Sequence, residues 1–395
     1  MWITFLQPLY LKDYRGVFYC EKIAKKKVIH RKTVPLQQQP IYILYYYLVI
    51  RMNFLKNTKL CKVFNQENNF LPIWFMRQAG RYLPEYKEIR KKAGSFLDLC
   101  YNSDFAAEVT MQPIRRFSFD AAIIFADILV LPHALGWSVT FDEGIGPVLR
   151  QFKSEEDFIY LNNNPIDKFS CIYKSISKVR AALPHDTSLI GFAGSPWTVM
   201  SYMLEGKGKQ DFSVSKRFLY QNRNLALTLV NLISDNTVIY LLGQIQAGAD
   251  VVQLFDSWSG MLNGREYEDF IIKPTKKIVS EIKKIYPEIP IIGFPKGSGF
   301  NYEHYIDSTK IDGVSVDQFT PVSQMNSWKQ KLVVQGNFDP VLLLTDQKSI
   351  ATKADEILSI LSGKNFIFNL GHGILPTTPP ENVEFLVNYV RNYKK

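Results

Sequence analysis

The run Val251-Val252-Gln253-Leu254-Phe255, followed at once by Asp256-Ser257-Trp258 and then by the helical pattern Glu266–Lys284, decides the fold of this chain. A short run, mostly apolar and partly β-branched, suits a strand covered on both faces, as in a parallel sheet. Polar residues gather at its carboxyl end. The amphipathic stretch beyond them is helical, with a break expected at Pro274. The same unit recurs along the chain. Ile73–Met76, Ala121–Phe125, Ser188–Phe192, Ile291–Phe294, Gly313–Val316, Leu332–Val334 and Phe366–Phe368 read as further buried strands, and Lys216–Ile233 and Asp346–Leu361 as further helices. Eight strands alternating with helices over roughly 320 residues imply an α/β chain folded as a (β/α)8 TIM barrel. A doubly wound open sheet is the alternative. Helix starts are expected after Ser195-Pro196 and Asp339-Pro340, each a capping residue before a first-turn proline. Thr378-Pro379-Pro380-Glu381 reads as a capping box that opens the last helix.

The first 51 residues do not share this pattern. They carry nine basic and two acidic residues, hence +7 of the chain's formal +10, whereas residues 52–395 carry only +3. A nucleic-acid role for the whole chain loses its main support. The aromatic-apolar run Ile41–Ile50 is shorter than the ~20 residues that span a bilayer. No small-residue cleavage site follows it, so stable membrane insertion and secretion are not expected. The segment is poor in acids, as a transit peptide is, but it contains no Ser. The division is therefore an N-terminal extension, 1–51 (a tail, a targeting segment or an upstream artefact), and one domain, 52–395. The cysteines at 20, 61, 100 and 171 form no close pairs. They fit neither a zinc site nor a secreted disulfide framework, so a reducing compartment, the cytoplasm, is expected. A plastid or mitochondrion is the alternative if residues 1–51 are a transit peptide.

In such a barrel the active site lies at the carboxyl ends of the strands. Met76-Arg77-Gln78-Ala79-Gly80-Arg81 follows the first strand and Asp127 the second. Gly194-Ser195-Pro196-Trp197-Thr198 follows the third, with Tyr202 beyond it. Asp256-Ser257-Trp258 follows the fourth, and Gly371-His372-Gly373 the eighth. Distant segments thus converge on one rim. Arg77, Arg81 and Arg90 offer planar forks for carboxylates. The helix start at Ser195-Pro196 offers free N–H groups to an anion. Several cations with one carboxylate, one Tyr and one His suit a polyanionic small molecule. No Cys/His cluster supplies a metal, and no dinucleotide fingerprint follows a strand. Each residue also has a plainer reading. The arginines could be solvated surface, Asp127 a cap, His372 a packed loop residue, Tyr202 core and Ser257 a turn residue. Lys296, after the fifth strand, could form a Schiff base or be a solvated loop lysine.

Four of these segments resemble the uroporphyrinogen decarboxylase family. Pro72-Ile73-Trp74-Phe75-Met76-Arg77-Gln78-Ala79-Gly80-Arg81-Tyr82-Leu83-Pro84 matches the family's first signature almost letter for letter, and Gly191-Phe192-Ala193-Gly194-Ser195-Pro196-Trp197-Thr198 its second. Phe125-Ala126-Asp127-Ile128-Leu129 and Asn369-Leu370-Gly371-His372-Gly373 are similar to further family segments. The likeness runs from about Leu71 to the C-terminus. It implies a TIM barrel, a homodimer, and removal of CO2 from the four acetates of uroporphyrinogen to give coproporphyrinogen, without metal or organic cofactor. It implies that Arg77, Arg81 and Arg90 bind substrate carboxylates and that Asp127 accepts from pyrrole N–H groups. It makes Arg77 a candidate for the proton relay, and Gln78, Ala79 and Gly80 part of the binding loop. Tyr202, Ser257 and His372 would contact substrate side chains, with Phe192 and Phe255 as apolar walls. Trp258 stands where some members have a histidine, which leaves the shape of that wall open.

Three rivals remain. Corrinoid-linked methyltransferases share the fold but need a His-x-Cys and a later Cys. Here Gly373-Ile374 follows His372, and no cysteine follows Cys171. A Schiff-base lyase would use Lys296. A non-catalytic tetrapyrrole binder would not need Asp127.

Overall fold

The structure, a computed structural model, describes residues 57–142, 146–161, 164–206 and 211–393. The basic extension expected over residues 1–51 lies outside the described residues. Among the described residues nine strands form: β1 Ala121–Ile123, β2 Val139–Asp142, β3 Gly146–Leu149, β4 Ser188–Gly194, β5 Val251–Asp256, β6 Ile291–Pro295, β7 Gly313–Ser315, β8 Val333–Phe338 and β9 Phe366–Leu370. Seven of them pair in the order β1-β4-β5-β6-β7-β8-β9, all parallel, and curl with helices outside.

The first expected strand is reduced to one bridge. Ile73 pairs in parallel with Phe368 of β9. On its other side, Asp120 donates its N–H to the Ile73 carbonyl at 3.0 Å and accepts the Ile73 N–H on Oδ2 at 2.8 Å. The segment Pro72–Met76 thus sits between β9 and β1 and occupies the eighth place. That seam excludes the open sheet, because both edges meet one segment. It is held partly by a side chain, since Asp120 substitutes for a ladder partner.

Side chains on the inner face confirm the closure. Trp74 Nε1 donates to Gln335 Oε1 at 2.9 Å, and Gln335 Nε2 donates to Gln253 Oε1 at 3.2 Å and Ser315 Oγ at 3.1 Å. Gln253 is on β5 and Gln335 on β8, which are not neighbours. Their bond therefore crosses the interior, where all four residues are buried.

The helices depart from the expected pattern at identifiable points. Lys216–Ile233 is not one helix. Ser213–Gln221 and Arg223–Ala247 meet at Asn222, whose backbone leaves the helical region at φ −127°. Asparagine favours such local breaks by competing for backbone hydrogen bonds. Around Pro274 the chain forms Gly264–Tyr267, a π turn Glu268–Ile272 and then Lys273–Ile285. The widened turn accommodates a proline that lacks an N–H. Arg223–Ala247 is long and apolar enough to cross a bilayer. It is nonetheless part of the barrel wall, because Gln244 accepts the Phe192 N–H and donates to the Phe192 carbonyl, both at 2.8 Å.

Asp339 caps Pro340–Leu344 by accepting the Val341 N–H, as expected. Ser195 precedes Pro196–Glu205 as expected, although its hydroxyl is buried without a partner among the described residues. The capping box at Thr378 does not form. The helix is Pro380–Arg391 with Pro379 at its cap, so Thr378 lies one residue too early and Glu381 is not in register with it. The antiparallel hairpin β2–β3, inserted between β1 and β4, was not anticipated. Its strands are only four residues long and carry little pattern.

Candidate active site

Neighbouring strand ends are stitched together at the carboxyl face. The Ser195 N–H after β4 donates to the Phe255 carbonyl of β5 at 2.8 Å. The Lys296 N–H after β6 donates to the Asp256 carbonyl at 3.1 Å, and the Gly371 N–H after β9 to the Phe338 carbonyl at 2.7 Å. The Ile374 N–H donates to the Met76 carbonyl at 3.0 Å, tying the loop after β9 to the loop that begins at Met76. Residues separated by some 300 positions thereby share one mouth.

Arg77 leads the polar set. Its backbone is left-handed at φ +58°, an uncommon state for a residue with a side chain. Its aliphatic stem crosses Gly373, where a Cβ would stand 2.3 Å from Arg77 Cδ. Glycine is therefore required beside His372 so that Arg77 can pass. The Arg77 side chain is exposed and makes no hydrogen bond or ion pair with another described residue. Asp127 sits after β1, partly covered, with one carboxylate oxygen accepting the Leu129 N–H at 2.8 Å. Burial raises the Asp127 pKa, while that hydrogen bond and the Arg77 charge pull it down. Tyr202 lies within electrostatic reach of both Asp127 and Arg77, and burial raises its pKa. His372 has the opposite shift. Burial, then Arg77 and Lys296, push it down to about 3, so its imidazole is neutral near pH 7.

The apolar wall is a ladder of three rings. Phe192 and Phe255 meet edge-on with centroids 5.5 Å apart, and Phe255 meets Phe294 in the same way at 6.0 Å. Trp258 lies beyond, with its ring centroid 6.3 Å from Tyr202 and 4.8 Å from Phe212. Ser257 is half-buried, and its hydroxyl makes no hydrogen bond among the described residues.

Some expected residues stand further from this cluster. Arg81 is exposed and Arg90 half-buried, and both act on Tyr86. Tyr86 packs on Phe125, just before Asp127, with centroids 5.7 Å apart. Arg90 donates to the Gly94 carbonyl at 2.6 Å, which closes its own helix end. Gln78 is fully buried. It donates to the Ala121 carbonyl at 3.1 Å and accepts the Ile123 N–H at 3.3 Å, so its amide serves β1. Ala79 and Gly80 form the half-buried turn, where Leu83 N–H donates to the Gly80 carbonyl.

Sequence reasoning placed Asp256 at the rim but gave it no role, and it read Phe294 only as part of a strand. Asp256 ends β5, fully buried, with Thr198 Oγ1 donating to Oδ1 at 2.5 Å and Oδ2 without a partner among the described residues. Burial lifts it to about 7. A carboxylate at a strand's last residue, facing the mouth end of a barrel, was the available signal. Among the described residues no group of three His, Cys, Asp or Glu side chains is placed to hold a metal.

Comparison with known proteins adds to this geometry. A chain of known structure, a methyltransferase from Methanosarcina mazei, superposes with a TM-score of 0.69 over 84% of this chain and 96% of its own. At 18% identity it establishes the fold alone. The uroporphyrinogen decarboxylase of Rickettsia felis is 60% identical over 330 residues, 84% of this chain and 95% of that protein. That of Rickettsia bellii is 58% identical over 327 residues, 83% and 96% of the two chains. The uroporphyrinogen decarboxylase (URO-D) family profile matches residues 55–393. That match spans every strand of the barrel and every rim segment described above, and the chain is a member of the uroporphyrinogen decarboxylase family.

Proposed function

We propose that this chain is a carboxy-lyase of heme biosynthesis that removes CO2 from the four acetate side chains of uroporphyrinogen III and yields coproporphyrinogen III. The observation that carries this reading is Asp127, a single half-covered carboxylate at the mouth with Arg77 and Tyr202 around it. Each turnover converts ring–CH2–COO⁻ and one proton into ring–CH3 and CO2. The pyrrole acts as its own electron sink. A proton is added to the ring carbon beside the one bearing the acetate, and the ring becomes cationic. The C–C bond pair then flows into the ring as CO2 leaves, and protonation of the exocyclic methylene with loss of the ring proton restores the pyrrole.

In this reading Asp127 accepts the pyrrole N–H groups and stabilises the ring cation. Preorganised charge of this kind is worth ~3–4 kcal/mol per well-placed group. Arg77, Arg81 and Arg90 hold substrate carboxylates, and the loop Gln78-Ala79-Gly80 follows the substrate's edge. Tyr202, Ser257 and neutral His372 contact its side chains, while Phe192 and Phe255 wall the macrocycle. Holding the acetate perpendicular to the ring contributes ~7–11 kcal/mol through orientation. Arg77 is the residue nearest to a proton-relay role, but guanidinium at a pKa of ~13 is a weak acid. Water or a substrate carboxyl therefore supplies the proton, oriented by Arg77. No cofactor enters this scheme.

The enzyme works in the cytoplasm in this reading, supported by bacterial relatives and by the free thiols Cys100 and Cys171. It is a homodimer formed through its rim. Support comes from Phe300, 98% exposed, and Phe319, 75% exposed, in the loops after β6 and β7.

The test is anaerobic turnover of chemically reduced uroporphyrinogen III, with products resolved by carboxyl number, in the full chain and in a chain starting at Met52. Seven-, six-, five- and four-carboxyl products appearing in order are expected from both. A folded protein that binds the substrate but yields none of them would leave a tetrapyrrole-binding protein instead.

A further inference from the structure

We infer that Lys296 is a further substrate-contacting residue, whose ammonium holds a tetrapyrrole carboxylate on the β5–β6 side of the mouth. The inference rests on the reading of the site given above.

The backbone of Lys296 is fixed on all sides. Its N–H donates to the Asp256 carbonyl at 3.1 Å, and its carbonyl accepts from Gly260 N–H at 3.2 Å and Ser259 Oγ at 2.8 Å. The next residue, Gly297, donates its N–H to Asp317 Oδ2 at 2.6 Å. The side chain leaves this anchor into the mouth, half-buried, with Nζ 6.0 Å from the centre of the Trp258 ring. The Asp317 carboxylate, Arg77 and His372 all lie within its electrostatic reach, and Asp317 offsets part of its burial cost without bonding to it.

The ammonium has no hydrogen-bond or ion-pair partner among the described residues. Lys62 and Lys216 share that state, whereas three other half-buried lysines have acceptors. Lys59 pairs with Asp120 at 2.9 Å, Lys168 donates to the His133 carbonyl at 2.9 Å, and Lys283 pairs with Asp312 at 2.8 Å. The carboxylates near Lys296 are occupied. Asp317 accepts from Gly297 N–H, Tyr302 OH and Phe319 N–H, and Asp256 is fully buried below with Thr198. A partly desolvated cation without an acceptor is costly. Placing it near a second cation, Arg77, adds repulsion. An anion that enters between them lowers both costs.

The chemistry of the substrate fits an electrostatic role. Uroporphyrinogen carries carboxylates on every pyrrole but no ketone or aldehyde, so a Schiff base at Lys296 has nothing to form with. The indole face of Trp258 carries no charge, and Lys296 supplies the positive charge on that side of the mouth.

The variants K296M and K296R test this. Removing a charge-assisted hydrogen bond to a substrate carboxylate should lower kcat/KM of K296M for uroporphyrinogen III by about 10- to 100-fold, mainly through KM. K296R should stay within a few-fold of wild type, with melting temperatures of both unchanged. Binding of the fluorescent octacarboxylate uroporphyrin, which needs no turnover, should weaken in K296M in the same proportion. That arm separates this inference from the reaction itself: a wild type that binds uroporphyrin but does not decarboxylate would fail the reaction and leave Lys296 testable. K296M with wild-type affinity and an unchanged product series would overturn the inference. So would equal impairment of K296R and K296M, or a borohydride-trapped adduct on Lys296.

Discussion

Asp127 and Asp256 are two carboxylates at the same face with different electrostatic positions. Asp127 keeps a hydrogen bond from Leu129 and the field of Arg77. Asp256 has only Thr198. If Asp127 stabilises the ring cation, Asp127→Ala should reduce kcat by at least ~100-fold while KM changes little. Comparable losses in uroporphyrin binding and in turnover would instead assign Asp127 to binding. Asp256 makes a prediction about stability. Its carboxyl ionises near 3.8 when unfolded and at about 7 when folded, so the unfolded state releases its proton first. Ionisation of the unfolded chain therefore destabilises the fold as pH rises from about 4 to 7. The cost is absent below this window and reaches on the order of 4 kcal/mol above it. Asp256→Asn should accordingly melt higher than wild type at pH 8 and close to it at pH 4. A difference that does not vary with pH would remove this account of Asp256.

At the scale of elements, the loop after β9 and the loop beginning at Met76 work as one unit. Gly373 lets the Arg77 stem pass, and the Ile374 N–H ties the two loops. Gly373→Ala would put a methyl 2.3 Å from Arg77 Cδ, within its van der Waals envelope. Arg77 must swing aside, so KM for uroporphyrinogen should rise at least ~10-fold, with the melting point shifted by only a few degrees. An unchanged KM would mean that Arg77 holds no substrate carboxylate. The seam at Ile73 is the other place where an element depends on distant chain. A single bridge and the Asp120 carboxylate do there what a full strand ladder does elsewhere.

At the scale of the whole molecule, the rim presents Phe300, Phe319 and the half-exposed Val341 after β6, β7 and β8. A second copy that covers this face would account for large apolar side chains in water. The protein should therefore elute at twice its chain mass by light scattering, and the double variant F300D/F319D should shift towards monomer. A wild type that stays monomeric at micromolar concentration removes the homodimer.

Much of this was legible in the amino-acid sequence. Short β-rich runs separated by amphipathic stretches determine parallel strands and outer helices, because hydrophobic periodicity is local. The barrel follows from their number and alternation. That the arginine loop, Asp127 and His372 follow strand ends was legible, because such positions can be read from the runs before them, whereas the roles proposed for them came from the family resemblance. What the sequence could not determine depends on partners far away in the chain. The Ile73 seam needs Asp120, the commitment of the Gln78 amide needs β1, and the cap at Thr378 fails by one residue of register. Above all, burial decides charge. Nothing local to Asp256 or Lys296 tells that one carboxyl is enclosed up to a pKa of about 7 and that one ammonium stands without an acceptor, because desolvation is set by the folded surroundings.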